Sequence, residues 1–139
     1  MVQKLRTPVH LMNDQQKEWF ALALISMILS DGNITSGETN HLLQSISFVR
    51  EKDAVERLKK YVQFKAPPTL HSFKGWEQDP KNKALMMLDL MDSAVSDSDL
   101  SPKEREQIHI IGSMLGFQAR KVDELIAMKE KALGTVAES

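Results

Sequence analysis

DGNITSGE, residues 31–38, is the stretch on which the architecture depends, because a degenerate copy of it, DSDLSPKE, follows at residues 97–104. Each copy comes after an apolar run and combines an acidic turn with a hydroxyl residue and a glutamate three positions further on. An aspartate turn is typical of the end of a helix, and a hydroxyl residue followed three positions later by glutamate is typical of the start of one. The chain therefore reads as two helix–turn–helix units of similar design.

The apolar residues around the two copies predict helices throughout and no strand. A first helix at about 15–30, with Asn13 or Asp14 as its N-cap, is apolar nearly all round and is expected to be central. Further helices are expected at about 35–49, 53–64, 80–95, 101–116 and 119–133, the last ending at Gly134. The residues expected to face the core include Leu42, Ile46, Val49, Ala54, Leu58, Val62, Leu85, Leu88, Met91, Ile108, Ile111, Leu115, Val122, Leu125 and Ile126.

The fold class is thus predicted to be all-α: a compact bundle of about six to seven helices, built from two similar helix–turn–helix halves. With 139 residues the chain is near the usual size of one domain. We expect that domain over residues 13–135, preceded by a flexible arm of residues 1–12, in which Pro8 opposes an early helix.

Composition excludes several classes of protein. A formal net charge of −1 argues against a dedicated nucleic-acid binder. The absence of cysteine excludes disulfides and thiolate metal sites, and the four histidines have no spacing typical of zinc ligands. The longest apolar run, residues 19–29, is too short to cross a bilayer. We therefore expect a cytoplasmic protein without membrane insertion.

Two interpretations of the repeated stretch stay open. In the first, Thr35 with Glu38 and Ser101 with Glu104 form capping boxes, each worth about 1 kcal/mol. In the second, the oxygen-bearing side chains bind Ca²⁺ or Mg²⁺ weakly, and no other cofactor is expected. The candidate ligands are Asp31, Asn33, Glu38, Asp97, Asp99 and Glu104. The spacing is not that of an EF-hand, whose terminal glutamate is the twelfth loop residue, so such a site would combine residues of both copies.

On these residues, the chain resembles the tellurite-resistance TerB-like family. The resemblance rests on residues 31–38, their return at 97–104 and the later LGF at 115–117, and it spans residues 15–133. It implies a bundle of about seven helices in two similar halves, with an acidic, metal-binding surface and a role in stress response or protein interaction, without catalysis. The acidic positions of the family fall on Asp31, Glu38, Asp97 and Glu104. Ser98 stands where glycine is usual, so the two copies are not expected to be equivalent.

Phe73 and Trp76 are the candidates for contact with a protein partner. They lie in the long connection of residues 65–80, and aromatic residues are enriched at the energetic centres of interfaces. The alternative is that both rings fold back and fill the space between the halves.

Asp89 and Asp92 support a different hypothesis. They share one helix face and would serve a small hydrolase or lyase as acid and base, provided that they line a concave pocket. Nucleic-acid binding through Arg57, Lys59 and Lys60 is a third hypothesis, which requires steeply salt-dependent binding. With no nucleophile motif in the chain, we expect a protein that is not an enzyme.

Overall fold

The structure, a computed structural model, describes residues 6–29, 40, 42–44, 46–66, 68–70, 73, 80–94 and 102–138, and of residues 93, 94 and 130–138 the backbone alone. Over these residues it is all-α and has no strand, which confirms the predicted class. A 3₁₀ turn, Val9–Leu11, comes first. The α-helices are α1 (Asp14–Leu29), α2 (Lys52–Phe64), α3 (Pro80–Ala94), α4 (Pro102–Met114) and α5 (Ala119–Glu138), and residues 40 and 42–44 are helical as well.

Helix α1 is the centre of the bundle, as its apolar sequence predicts. It packs against α2, α3 and α4, while α5 packs against α3 and α4. Because α1 meets neighbours on several sides, Phe20, Leu24 and Met27 are all at most 1% exposed. Its one buried hydroxyl is satisfied: Ser26 donates to the carbonyl of Ala23 at 2.8 Å and accepts from the amide of Gln107 on α4 at 3.2 Å.

Capping side chains and a glycine determine where several helices begin and end. Asn13 caps α1 reciprocally with Gln16: Asn13 Oδ1 accepts from the Gln16 N–H at 2.8 Å, and Gln16 Oε1 accepts from the Asn13 N–H at 2.9 Å. The carboxylate of Glu51 accepts from two amides in the first turn of α2. Gly116, with φ of 93°, ends α4 in the left-handed conformation that glycine adopts without strain, as predicted.

The end of α4 is also held by its neighbours. The backbone N–H of Phe73 donates to the carbonyl of Met114 at 3.1 Å, and Lys83 Nζ donates to the carbonyl of Leu115 at 3.0 Å. These bonds occupy carbonyls that have no partner within the helix. They tie Phe73 and α3 to the end of α4.

The core prediction is confirmed at most positions, including Met91 of α3, which is fully buried. Leu85 and Leu88 are only half-buried, whereas Met86, Met87 and Leu90 are fully buried. Helix α3 contacts α1, α4 and α5, so its buried surface is wider than one apolar stripe. Helix α5 also continues past Gly134 to Glu138. An interior glycine costs a helix only about 1 kcal/mol relative to alanine, which does not force an end. Residues 46–48 form a turn where the second helix was expected to continue.

No helix that the structure describes combines the length and the apolar character needed to cross a bilayer.

Candidate functional site

The predicted cation ligands fall mainly outside the described residues. Asp31, Asn33, Glu38, Asp97 and Asp99 all do so, as does Trp76 among the predicted partner contacts. Glu104 is described: it lies in the first turn of α4 and is 6% exposed. Among the residues that are described, no group of three or more histidines and carboxylates could hold a metal ion. Cation binding by the repeated stretch therefore stays a prediction.

Asp89 is a buried carboxylate on α3, 2% exposed. Its Oδ1 accepts the backbone N–H of Arg6 at 3.1 Å and Arg6 Nη1 at 3.3 Å. Its Oδ2 accepts the backbone N–H of Thr7 at 2.8 Å and the Thr7 hydroxyl. Four donors on a carboxylate offset the cost of removing its charge from water. Residues 6 and 7 cover the helix face that Asp89 shares with Asp92.

Asp92, one turn further along α3, continues this cluster. It accepts Arg6 Nη1 and forms an ion pair with Lys129 of α5. Burial lowers the pKa of Lys129 because a charged ammonium loses hydration, and the nearby Arg6 charge lowers it further, while Asp89 raises it. Two cations and two carboxylates thus meet where the N-terminal segment, α3 and α5 come together. We call Arg6, Thr7, Asp89, Asp92 and Lys129 the clasp.

The carboxylates of Asp89 and Asp92 have a structural role in the clasp. Arg6, Thr7 and Lys129 engage them, and the segment that begins at Arg6 includes Met12, which is 5% exposed. A general acid or base must reach its substrate, directly or through one water. Among the described residues, Asp89 and Asp92 instead secure residues 6–12 against the bundle. The predicted flexibility of residues 1–12 stays a prediction, because residues 1–5 lie outside the description.

A half-open apolar cleft lies between residues 43–49 and α2. Its volume is about 280 Å³, close to the lower end of the range for ligand pockets. Its lining consists of Leu43, Ile46, Ser47, Val49, Val55, Leu58 and Lys59. Leu58, Ile46 and Val49 belong to the buried core, whereas Ser47 and Lys59 are exposed at its edges. The apolar side chains that are partly exposed in the cleft are Leu43 and Val55.

The three basic residues of α2 that were candidates for nucleic-acid binding fall into two groups. Arg57 forms two hydrogen bonds with the Glu18 carboxylate on α1, at 2.8 and 2.7 Å, and this carboxylate raises the pKa of the guanidinium. Arg57 therefore links α2 to α1. Lys59 and Lys60 are exposed, and none of the ion pairs among the described residues involves either. Only Lys59 of the two lines the cleft.

Phe73 lies inside the fold. It is 8% exposed, and its ring meets that of Trp19 edge to face, with centroids 5.1 Å apart. Such a pair adds about 0.5–1.5 kcal/mol beyond the area that it buries. This geometry matches the alternative in which the ring fills space within the protein.

A shallow apolar depression lies along α4, at Glu106, His109, Ile110, Ser113 and Met114. Ile110 is 44% exposed there, and His109 Nε2 lies 2.8 Å from Asp123 Oδ1 on α5. The depression is open and carries one polar pair at its edge, so it offers less enclosure than the cleft.

Sequence reasoning missed both the clasp and the cleft. Asp89 is the lone charge in the run ALMMLDLM, residues 84–91. That isolation signals a buried, partnered carboxylate. No comparable signal marks the cleft, since Leu43 and Val55 read as ordinary helix-face residues.

Comparisons of the chain with protein-family models, with curated proteins and with solved structures give no match.

Proposed function

We propose that this protein is a non-enzymatic helical module, TerB-like in type, that acts through contacts with protein partners in stress response and binds a divalent cation weakly at the repeated stretch. The observation that carries the proposal is the cleft. Its lining is apolar, it is open to solvent, and it is built on side chains of the core. A concave site that is mainly apolar and has a few polar groups at its edge is the usual form of a binding site.

The arrangement of the helices supports the two-halves part of this proposal. The two copies of the repeated stretch follow α1 and α3, which pack against each other. Each of these helices is followed by further helix: residues 40 and 42–44 after α1, and α4 after α3. A pair of similar units with their first helices in contact is what a bundle of two related halves requires.

The alternative of a small carboxylate-dependent hydrolase or lyase has no observation in its favour. Asp89 and Asp92 are its proposed acid and base, and both are engaged in the clasp. The cleft, which is the more enclosed of the two cavities described, is lined by no carboxylate among the described residues.

A photo-crosslinking experiment in cells tests the interaction role. A photoreactive amino acid replaces Ser47, at the edge of the cleft, or Glu124, an exposed residue on α5, as the matched control. We expect discrete protein adducts from position 47 and not from position 124. Equal adducts at both positions, or none at position 47, would contradict the proposal.

The cation-binding part of the proposal rests on the repeated stretch. Metal-stripped protein is titrated with Ca²⁺ and with Mg²⁺ while its Tm is recorded. We expect a rise in Tm that is lost in the Asp31→Ala, Asp97→Ala double variant and kept in the control variant Asp14→Ala, which removes an exposed carboxylate from α1. A double variant that responds like the wild type would place cation binding elsewhere in the protein.

A further inference from the structure

We propose that the cleft between residues 43–49 and α2 binds an acidic amphipathic helix of a partner protein, with Lys59 pairing with a carboxylate of that helix. This inference rests on the proposed interaction role and specifies the chemistry of the partner.

The shape of the cleft favours a helix. A volume of about 280 Å³ equals the space of roughly nine water molecules at about 30 Å³ each, which is enough for two aliphatic side chains. Residues four apart on a helix project such a pair from one face, about 6 Å apart. An apolar groove that takes anchors at this spacing is a recurring mode of peptide recognition. The cleft is open on one side, so the rest of the helix remains at the surface.

The charge around the cleft favours an acidic partner. From residue 50 to 65 the chain has six basic and three acidic residues. Arg57 and Glu51 have partners of their own, since Arg57 binds Glu18 and Glu51 caps α2. Lys59 is the charged residue that lines the cleft, and its side chain is exposed. A carboxylate beside the apolar anchors would reach this ammonium, and a basic partner would be repelled by it.

One feature disfavours an acyl chain in the same cleft: the cavity is half-open, so part of the apolar surface of the chain would stay in water. A flexible apolar chain gains most from an enclosed tunnel that removes all of its surface from water. The structure thus points to a peptide rather than a lipid.

Two matched peptides test the inference. Both have about sixteen residues, long enough to form an isolated helix, and the same pair of leucines at i and i+4. One has glutamates beside the leucines and the other has lysines. We expect the acidic peptide to shift the amide NMR signals of Ser47, Val55 and Lys59, and to bind at least about tenfold more tightly than the basic one, a factor that corresponds to about 1.4 kcal/mol.

The matched variants are Lys59→Glu and Lys60→Glu. They change net charge equally, on adjacent exposed positions of α2, and Lys60 does not line the cleft. We expect Lys59→Glu to abolish the preference for the acidic peptide and Lys60→Glu to keep most of it. Equal binding of both peptides to the wild type, signal shifts outside the cleft, or equal effects of the two variants would overturn the inference.

Decanoate serves as the competing ligand. Shifts with decanoate and with neither peptide would overturn the inference in favour of an acyl occupant, and absence of any shift would overturn it outright. Crosslinking at position 47 separates these failures from that of the proposed function. If position 47 gives protein adducts and neither peptide shifts the amide signals, the protein is an interaction module whose partner is not an acidic helix.

Discussion

Thr7 and Asp89 lie 82 positions apart in the chain and share two hydrogen bonds, from the backbone N–H and the hydroxyl of Thr7 to the same carboxylate oxygen. Both residues are almost fully buried, at 4% and 2% exposure. A buried carboxylate without donors would be strongly destabilising, so residues 6 and 7 and α3 depend on each other. Residues 6 and 7 are therefore part of the folded structure.

Asp89→Asn should lower the free energy of unfolding by about 1–3 kcal/mol. The amide keeps the shape of the side chain but loses the charge, and it turns one acceptor into a donor that faces the N–H groups of Arg6 and Thr7. Urea unfolding measures the change. The control is Asp123→Asn, since Asp123 is 69% exposed in its side chain and its pair with His109 should contribute less than about 0.5 kcal/mol. Similar losses in the two variants would contradict a stabilising clasp.

Arg6→Ala should raise the pKa of Lys129. The Arg6 charge is one of the causes that lower this pKa from the ordinary value of 10.5, and its removal favours the protonated ammonium. An NMR titration of the Lys129 side chain follows the change, with the exposed Lys103 as reference. A fall in the pKa of Lys129, or an equal shift at Lys103, would show that Arg6 does not act on Lys129 through its charge.

The lowered pKa of Lys129 also makes the free energy of unfolding depend on pH. In the folded protein Lys129 loses its proton at a lower pH than in the unfolded chain, so the unfolded chain binds more protons as the pH approaches 10.5. The contribution of Lys129 to the free energy of unfolding therefore increases with pH in that window. In Arg6→Ala this increase should be smaller.

Gly112→Ala should destabilise the contact between α4 and α5 by about 1–3 kcal/mol. A Cβ at this position would lie 2.5 Å from Val122 Cγ2 and 3.2 Å from Met87 Cε, so the helices would have to move apart. Thermal unfolding measures the loss, and Ser113→Ala, at the next and exposed position, is the control. Adding Val122→Ala should restore part of the stability lost to Gly112→Ala. If it restores none, the clash is not the cause.

Phe73→Ala should lower the free energy of unfolding by about 3 kcal/mol or more, because it empties a buried site beside Trp19. Phe64→Ala is the matched control: Phe64 is 72% exposed, and its loss should change stability by no more than about 0.5 kcal/mol. Urea unfolding compares the two variants. A Phe73→Ala variant as stable as the wild type would favour a role for this ring in partner contact.

Local chemistry allowed most helices to be predicted from the sequence. The start of α1 followed from Asn13 and the end of α4 from Gly116, because caps act through neighbouring backbone groups. The burial of α1 followed from its apolar run, since a helix that is apolar on all sides has to lie inside. The end of α5 was predicted wrongly at Gly134, where one unfavourable residue was outweighed by the helix around it.

The clasp could not be predicted in the same way. Periodicity places Asp89 on a face of α3, but it contains no information on a partner 82 positions away. The cleft likewise depends on how far residues 43–49 stand from α2, which is a matter of packing between two segments. The repeated stretch gave the clearest sequence pattern, and most of its residues lie outside the described structure, so its two interpretations stay open.

The clasp also sets an order for the formation of the protein. Arg6 is synthesised 83 residues before Asp89 and 86 before Asp92, and Lys129 is made later still. On the ribosome, residues 6–12 therefore emerge long before the helices that hold them exist. Contacts of such large sequence separation form late and slow folding. Residues 6 and 7 can take their final place only after α3 has emerged, and the ion pair of Asp92 with Lys129 forms only after Lys129 has left the exit tunnel.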